Sequence, residues 1–568
     1  MPEDLVIEHL HVRRRTALHF RGAQAASPAG SVSPSILSDV SLSVAPGEFV
    51  ALVGGSGSGK TMTAMSILQL LPPQAAVDSG TIRLGGLDLT RATEAELNKV
   101  RGGRIGMLYQ QPKRMFNPRK TIGAHLQESL KLHRGLRGRA AAVHVLDLLA
   151  EVGFENPAWC AQARAHQLSG GMAQRAMTAL ALAGQPDMLL ADEPTSALDK
   201  VLERQILQLL DRERHERGLG ILYITHNIAT VSAFADRVVV MEAGQVRESG
   251  PAAAVLNAPQ ATYTKQLLEA AALSRGKDLP PIQQARNVLA LDGVTKQFGP
   301  HKRRSRPVLK EVSFTLRQGE ILGILGQSGS GKSTLARAIV GLEVPDGGTI
   351  TRTLAAEPGK HAAAGTKVQL VFQEPHDSFD PRMKLLTSLE APLRQRPDLT
   401  AEERRQRILE VMNDVELDSG MLDRYPGQCS GGQLQRATIA RALLLEPEVL
   451  ICDEATSALD ALTQRKVLDL LLRLHRDRRL SLIMISHDLD VIRYMSHRVA
   501  VLFQGALVEV AETRDFFFCQ QHEHSRKLVS AVLPFRGQAP QDGPRRPAAG
   551  LPGREAPREQ QVTDQLVQ

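Results

Sequence analysis

At 568 residues, with 42% hydrophobic and 23% charged side chains, the chain has the composition of soluble globular proteins and the length of more than one domain. No apolar run approaches the roughly 18–20 residues of a membrane span. The start, MPEDLVIEHL, lacks the basic stretch and apolar core of a secretory signal, so a cytoplasmic location is expected, with membrane contact through a partner.

In chain order, a strand-like stretch LVIEHLHV opens at Leu5, and a Ser/Pro/Ala/Gly-rich insertion at 24–35 reads as a flexible loop. The segment SVAPGEFVALVG then predicts a turn and a strand running into GGSGSGKT at 54–61, with a helix starting at the loop's end. Gln110 follows the apolar run IGMLY, and AAAVHVLDLLAEVGF has apolar residues at helical spacing. LSGGMAQR at 168–175 leads to the buried-strand run MLLAD with EPTSALD behind it, and ILYIT precedes His226.

The same order then repeats. VLALDGVTKQF opens the second half, and TLRQGEILGILG runs into GQSGSGKS at 326–333. Gln373 follows VQLVF, and ERRQRILEVMNDVEL predicts a helix before CSGGQLQR at 429–436. VLICDEATSALD and LIMIS before His487 complete the set. Ser169 and Ser430, Asp192 and Asp453, and His226 and His487 are each 261 positions apart. Lys60 to Gln110 is 50 residues and Lys332 to Gln373 only 41, a difference expected in antiparallel strands and loops between these motifs. The expected fold is α/β: two tandem parallel cores, each with antiparallel strands and a mainly helical insertion. The expected division is 1–272, a short polar linker 273–287 with Pro280 and Pro281, 288–534, and a Pro/Gly/Arg/Gln-rich disordered tail at 535–568.

Two further groups of residues have a bland reading. Much of the net charge of +8 sits in clusters at 13–15, 302–306 and the tail. The first two occupy the same place in each half and read as solvated loops, not as a nucleic-acid surface. Cys160, Cys429, Cys452 and Cys519 form no C-x-x-C pair and read as reduced thiols.

Both Gly-rich segments fit the phosphate-binding loop G-x-x-x-x-G-K-[ST]. Gly54, Gly55, Ser56, Gly57, Ser58 and Gly59, and likewise Gly326, Gln327, Ser328, Gly329, Ser330 and Gly331, let backbone N–H groups approach phosphates closely. Lys60 and Lys332 are expected on the β- and γ-phosphates of ATP, and Thr61 and Ser333 on magnesium. Asp192 and Asp453 end apolar strands, where each faces a phosphate loop and serves the metal. Glu193 and Glu454 follow as general bases for the attacking water. His226 and His487 lie at the C-terminal edge of the sheet, where α/β folds place ligands.

With LSGGMAQR and CSGGQLQR, the sequence resembles the ATP-binding cassette (ABC) ATPases over nearly its whole length. The resemblance implies that two cassettes pair head to tail within the chain, ATP lying between one phosphate loop and the other cassette's signature. Ser430, Gly431 and Gly432 would close the first site, and Ser169, Gly170 and Gly171 the second. A serine and two glycines at a helix N-terminus offer N–H groups and a positive dipole end to phosphate. The family gives Gln110 and Gln373 metal or water contact and a link to the transporter, and segments 196–199 and 457–460 communication between sites. Departures are Met172 and Cys429 in the signatures, and Gln111 where the second half has Glu374. Phe298 sits where the family stacks a ring on adenine, while Arg14 aligns there in the first half, with Phe20 nearby.

QPKRMFNPRKTIG, EPHDSFDPRMK, ATYTKQLLEAA and SRKLVSAVLP look like segments of peptide and nickel importer ATPases. The resemblance implies an ATPase that energises a bacterial peptide importer at the cytoplasmic face of the inner membrane. Its partners would be two integral-membrane permease subunits and, indirectly, an extracytoplasmic binding protein. A nickel or metallophore importer shares every motif. A soluble ABC ATPase acting on nucleic acid or ribosomes is disfavoured by the short linker. No iron–sulfur cofactor is expected, and HEH at 522–524 reads as solvated rather than metal-binding.

Overall fold

The computed structural model describes residues 3–15, 35–195, 198, 200–277, 279–282, 285–298, 306–327, 329–353, 367–396, 398–457 and 459–531. Each half is built on a six-stranded sheet. In the first, the order runs Gln245–Pro251, Arg237–Glu242, Phe49–Gly54, Gly220–Thr225, Met188–Asp192, Ile105–Leu108. In the second it runs Ala506–Glu512, Arg498–Phe503, Ile321–Leu325, Ser481–Ser486, Val449–Asp453, Val368–Val371. All pairings are parallel except those of the edge strands Gln245–Pro251 and Ala506–Glu512. Central strands such as FVALVG, MLLAD and GILYIT are buried at every residue, as a parallel sheet covered on both faces requires.

An antiparallel sheet covers one side of each core. It is formed by Ser35–Val44, Leu5–Arg14, Ala75–Leu84 and Leu87–Asp88 in the first half, and by Arg306–Arg317, Asn287–Phe298 and Gly347–Arg352 in the second. A helical region hangs from the other side, through Ile122–Arg134, Gly138–Glu151 and Gly170–Ala183, and through Leu385–Glu390, Ala401–Asp414 and Gly431–Leu443. The two-subdomain α/β architecture is that expected from the repeat.

Arg13 and Arg14 are not in a loop: the opening strand runs through Arg14, and Arg13 pairs with Asp78 at 3.1 Å. The strand persists because its backbone stays paired with Ala75–Leu84, past irregularities between Glu8 and Val12, as far as Arg14 opposite Ala75. His524 is not solvated either; it is buried and stacked on Phe503, ring centres 3.9 Å apart. Residues 24–34, 302–305 and the tail lie outside the described residues.

The halves touch through swapped C-terminal helices. Thr262–Ala271 packs on Ala461–Arg478 of the other half, and Glu523–Ala531 packs on Lys200–Arg217. Arg204 donates to the Ser530 carbonyl at 2.8 Å. The start of the segment read as a linker is docked, with Leu273 in the second half's core and Lys277 paired to Asp469 at 2.6 Å.

Candidate active site

In both halves the Gly-rich loop follows a buried strand and opens a helix, Lys60–Ile67 or Lys332–Val340. The loop lies so close to the next strand that a Cβ on Gly54 would stand 2.2 Å from the Met241 carbonyl oxygen, and one on Gly326 2.4 Å from that of Leu502. No larger residue fits there. Lys60 Nζ donates to the carbonyls of Gly54 and Gly55, each at 2.8 Å. Lys332 Nζ does the same to Gly326 and Gln327, at 2.8 and 2.9 Å. Ser328 lies outside the described residues.

Around each loop the polar residues converge. Gln110 Nε2 donates to Glu193 Oε2 at 2.7 Å, and His226 Nδ1 lies 3.2 Å from Glu193 Oε1. In the second half, Gln373 Nε2 donates to Glu454 at 3.0 Å, His487 Nδ1 lies 3.4 Å from it, and Lys332 Nζ stands 3.7 Å away. Burial raises the pKa of Asp192 and of Asp453, and the neighbouring hydroxyls of Thr61 and Ser333 oppose that rise. Asp453 Oδ1 is buried without a hydrogen-bond partner, as suits a carboxylate that serves a divalent cation. Magnesium therefore fits this donor set of hydroxyl and carboxylate oxygens. Glu193 and Glu454 both sit at positive φ, 46° and 48°, a conformation that costs a non-glycine residue energy and is held by the surrounding sheet.

The signatures sit at helix starts. Ser169 Oγ accepts from the Met172 N–H at 3.2 Å, and Ser430 Oγ from the Gln433 N–H at 3.3 Å, leaving the first-turn glycines at the N-termini of helices Gly170–Ala183 and Gly431–Leu443. The hydrogen bonds of Ser169 and Ser430 stay within their own helix starts and do not reach the opposite phosphate loop. The crossing contact is made instead by Asp460, whose Oδ2 accepts from the Ser56 N–H at 3.3 Å. Beside it, the Gly55 N–H donates to the Tyr263 hydroxyl at 2.8 Å. The sequence marked Tyr263 only as part of a resemblance; nothing in its spacing places it on a loop 208 residues away. Ser196, Ala197, Asp199 and Ala458 lie outside the described residues.

The family profile described as "ABC transporter" matches residues 37–196 and 309–457, more than half of the chain. The chain belongs to the ABC transporter ATP-binding family. Its two cassettes bind and hydrolyse ATP. The peptidoglycan transport ATP-binding protein YejF of Agrobacterium fabrum is 39% identical over 531 residues, covering 91% of this chain and 96% of that protein. The glutathione import ATP-binding protein GsiA of Escherichia coli O157:H7 is 38% identical over 534 residues, covering 87% and 86%. Among solved structures, an archaeal ribosome recycling factor in complex with a ribosomal stalk protein superposes with a TM-score of 0.57 over 86% of this chain and 89% of that one. At 19% identity that likeness concerns the fold alone.

The two ABC sites differ where the base is expected. Phe298 is exposed at the end of its strand, with Lys296 Nζ over the ring at 5.3 Å. Arg14 and Arg15 instead line a cavity of about 640 Å³ that also reaches Lys60 and Thr61. We expect F298A to weaken ATP binding by about 1–3 kcal/mol, the scale of base–aromatic stacking. R14A should cost less, a guanidinium on its flexible stem being a poorer platform. Titration of each variant with a fluorescent ATP analogue checks this, and equal large losses would refute the asymmetry.

Electrostatics pair the acid and the histidine. Burial alone would raise the Glu193 carboxyl, but the hydrogen bond and charge of His226, with Lys60, hold it below 4.5. Burial works against the His226 cation too, yet Glu193 raises it above 6.5. Their ion pair contributes fully above the carboxylate's unfolded value of 4.5 and below the imidazole's of 6.5. The contribution fades as pH falls through the lowered Glu193 value or rises through the raised His226 value. The gap in melting temperature between the wild type and H226Q should therefore be widest near about pH 5.5 and shrink by about pH 8.5. A gap that widens with pH would contradict the pairing.

Proposed function

We propose that the chain is the ATP-hydrolysing subunit of a bacterial importer for di- and oligopeptides or similar small solutes. It works at the cytoplasmic face of the inner membrane with two permease subunits, which receive solute from an extracytoplasmic binding protein. None of the described helices is long and apolar enough to cross a membrane, so the transport path lies in those partners. The relatives named for peptidoglycan transport and glutathione import favour peptide-like solutes.

The observation that carries the coupling is the bond from Gln110 to Glu193, repeated by Gln373 and Glu454. Each glutamine lies two residues past the strand Ile105–Leu108 or Val368–Val371, where the chain leaves the core for the helical region, so the group that holds the base also marks the start of the permease-facing surface. In the closed state we assign ATP to the space between each phosphate loop and the opposite signature, Lys60 or Lys332 holding the β- and γ-phosphates. Thr61 and Asp192, or Ser333 and Asp453, would hold magnesium, with Gln110 or Gln373 beside them, and the ion would supply neutralisation of phosphate charge. Glu193 and Glu454 take the proton of the attacking water, and His226 and His487 orient them and face the γ-phosphate. Closure favoured by ATP then turns the permease outward, a two-state shift driven by differential affinity.

The test is growth of a deletion strain on small peptides as the sole source of a required amino acid, beside nickel accumulation. We expect peptide use to fail and nickel to be unaffected. Normal peptide use with lost nickel would transfer the solute to the metal class, and loss of neither would count against an importer.

A further inference from the structure

Beneath the first site lies a buried carboxylate that the ATPase motifs do not account for. Glu203, on helix Lys200–Arg217, is 5% exposed. Its Oε1 accepts from Thr195 Oγ1 at 3.2 Å, from Asn227 Nδ2 at 3.2 Å and from Thr230 Oγ1 at 3.3 Å. Its Oε2 accepts from Lys200 Nζ at 3.0 Å. Thr195 in turn shares a bond with the buried Tyr223 hydroxyl at 3.1 Å. Thr195 is two residues past Glu193, and Asn227 directly follows His226 and caps helix Ile228–Phe234 through its own side chain. One carboxylate thus clamps the two segments that carry the acid and the histidine.

We propose that Glu203 is a positioning residue of the first ATP site, fixing the separation of Glu193 and His226 by holding Thr195 and Asn227 together. The assignment rests on the roles given above to Glu193 and His226. The chemistry of the acceptor matters. Asn227, Thr195, Thr230 and Lys200 all present donors to Glu203, and a carboxylate has an acceptor on both sides. An amide has one, so a glutamine there must turn an N–H₂ toward either Lys200 or the threonine–asparagine group.

The second cassette avoids that conflict by composition. At the aligned positions it carries Gln464, Ala461, Asp488, Met484 and Val491 for Glu203, Lys200, Asn227, Tyr223 and Thr230. The clamp therefore belongs to one site. Lys200 also faces the second cassette: burial disfavours its ammonium, but Glu203 and, across the boundary, Asp488 and Asp490 raise its pKa. Asp488 follows His487, so the charge that balances Glu203 is also felt beside the other site.

The experiment measures steady-state ATP hydrolysis by the full chain as E203Q, as K200A/E203Q and as E193Q. A misplacement of this kind costs up to about 100-fold. We expect E203Q to lower kcat by about tenfold or more with KM for ATP little changed. K200A/E203Q removes the unmatched donor and should restore most of the loss, the readout that a merely destabilised fold would not give. Wild-type kcat in E203Q, or a loss in both kcat and KM that the double variant does not relieve, would overturn the proposal. E193Q separates the two levels. If it turns over ATP normally, the role of Glu193 fails; if it is inactive while E203Q is normal, only the clamp fails.

Discussion

E193Q and E454Q should each retain ATP binding and lose turnover by about 10²–10⁴-fold, the usual share of general-base assistance. Glutamine keeps the size of the side chain and can still meet Gln110 or Gln373, so the loop and strand geometry survive. What it loses is the proton acceptor and the ion pair with His226 or His487. On the proposal that each site is closed by the other cassette's signature, a block at either should reach both, and the double variant should stay closed on ATP. Phosphate release and equilibrium nucleotide binding measure the two halves of this expectation. Undiminished turnover in the double variant would sink the assignment of both glutamates.

K60A and K332A should fail earlier, at binding. Lys332 is 5% exposed, its ammonium held by loop carbonyls. Burial lowers the pKa of Lys60, with Glu193 and Asp192 as its nearest counter-charges. A cation so poorly solvated gains most from phosphate, and deleting one partner of such a pair costs about 2–5 kcal/mol. The expected loss is at least about 30-fold in ATP Kd for each affected site. It exceeds that expected for F298A, because an ammonium–phosphate contact outweighs a partly exposed ring. Titration of each single variant, with melting temperature as a check on the loop, makes the comparison. Unchanged Kd would mean that the lysines stay on the carbonyls when nucleotide binds.

The parallel cores were readable because their strands are short, wholly apolar and punctuated by glycine and acid, as in MLLAD and VLICD. The site was readable because the phosphate loop, the acidic pair and the histidine sit at strand ends, where chain order fixes their places. What escaped lies between elements distant in sequence. Asp460 reaches Ser56 across 404 residues, a contact set by how the halves dock, and Tyr263 reaches Gly55 across 208, a contact set by the folding of the first half. Arg13 and Arg14 carry no period-two signal, and pairing with Ala75–Leu84 extends the opening strand through them. His524 reads as solvated in a His-Glu-His stretch near a terminal helix, whereas that helix turns it onto Phe503. Glu203 carries no signal at all, being one of four acids on an ordinary amphipathic helix.

The central claim is that both ATP sites are completed within one chain. The direct measurement is the mass and nucleotide content of E193Q/E454Q isolated with magnesium and ATP, by light scattering coupled to size exclusion. The account predicts the mass of a single chain holding two molecules of ATP. Two chains per particle, or a single chain that retains no ATP, would contradict it.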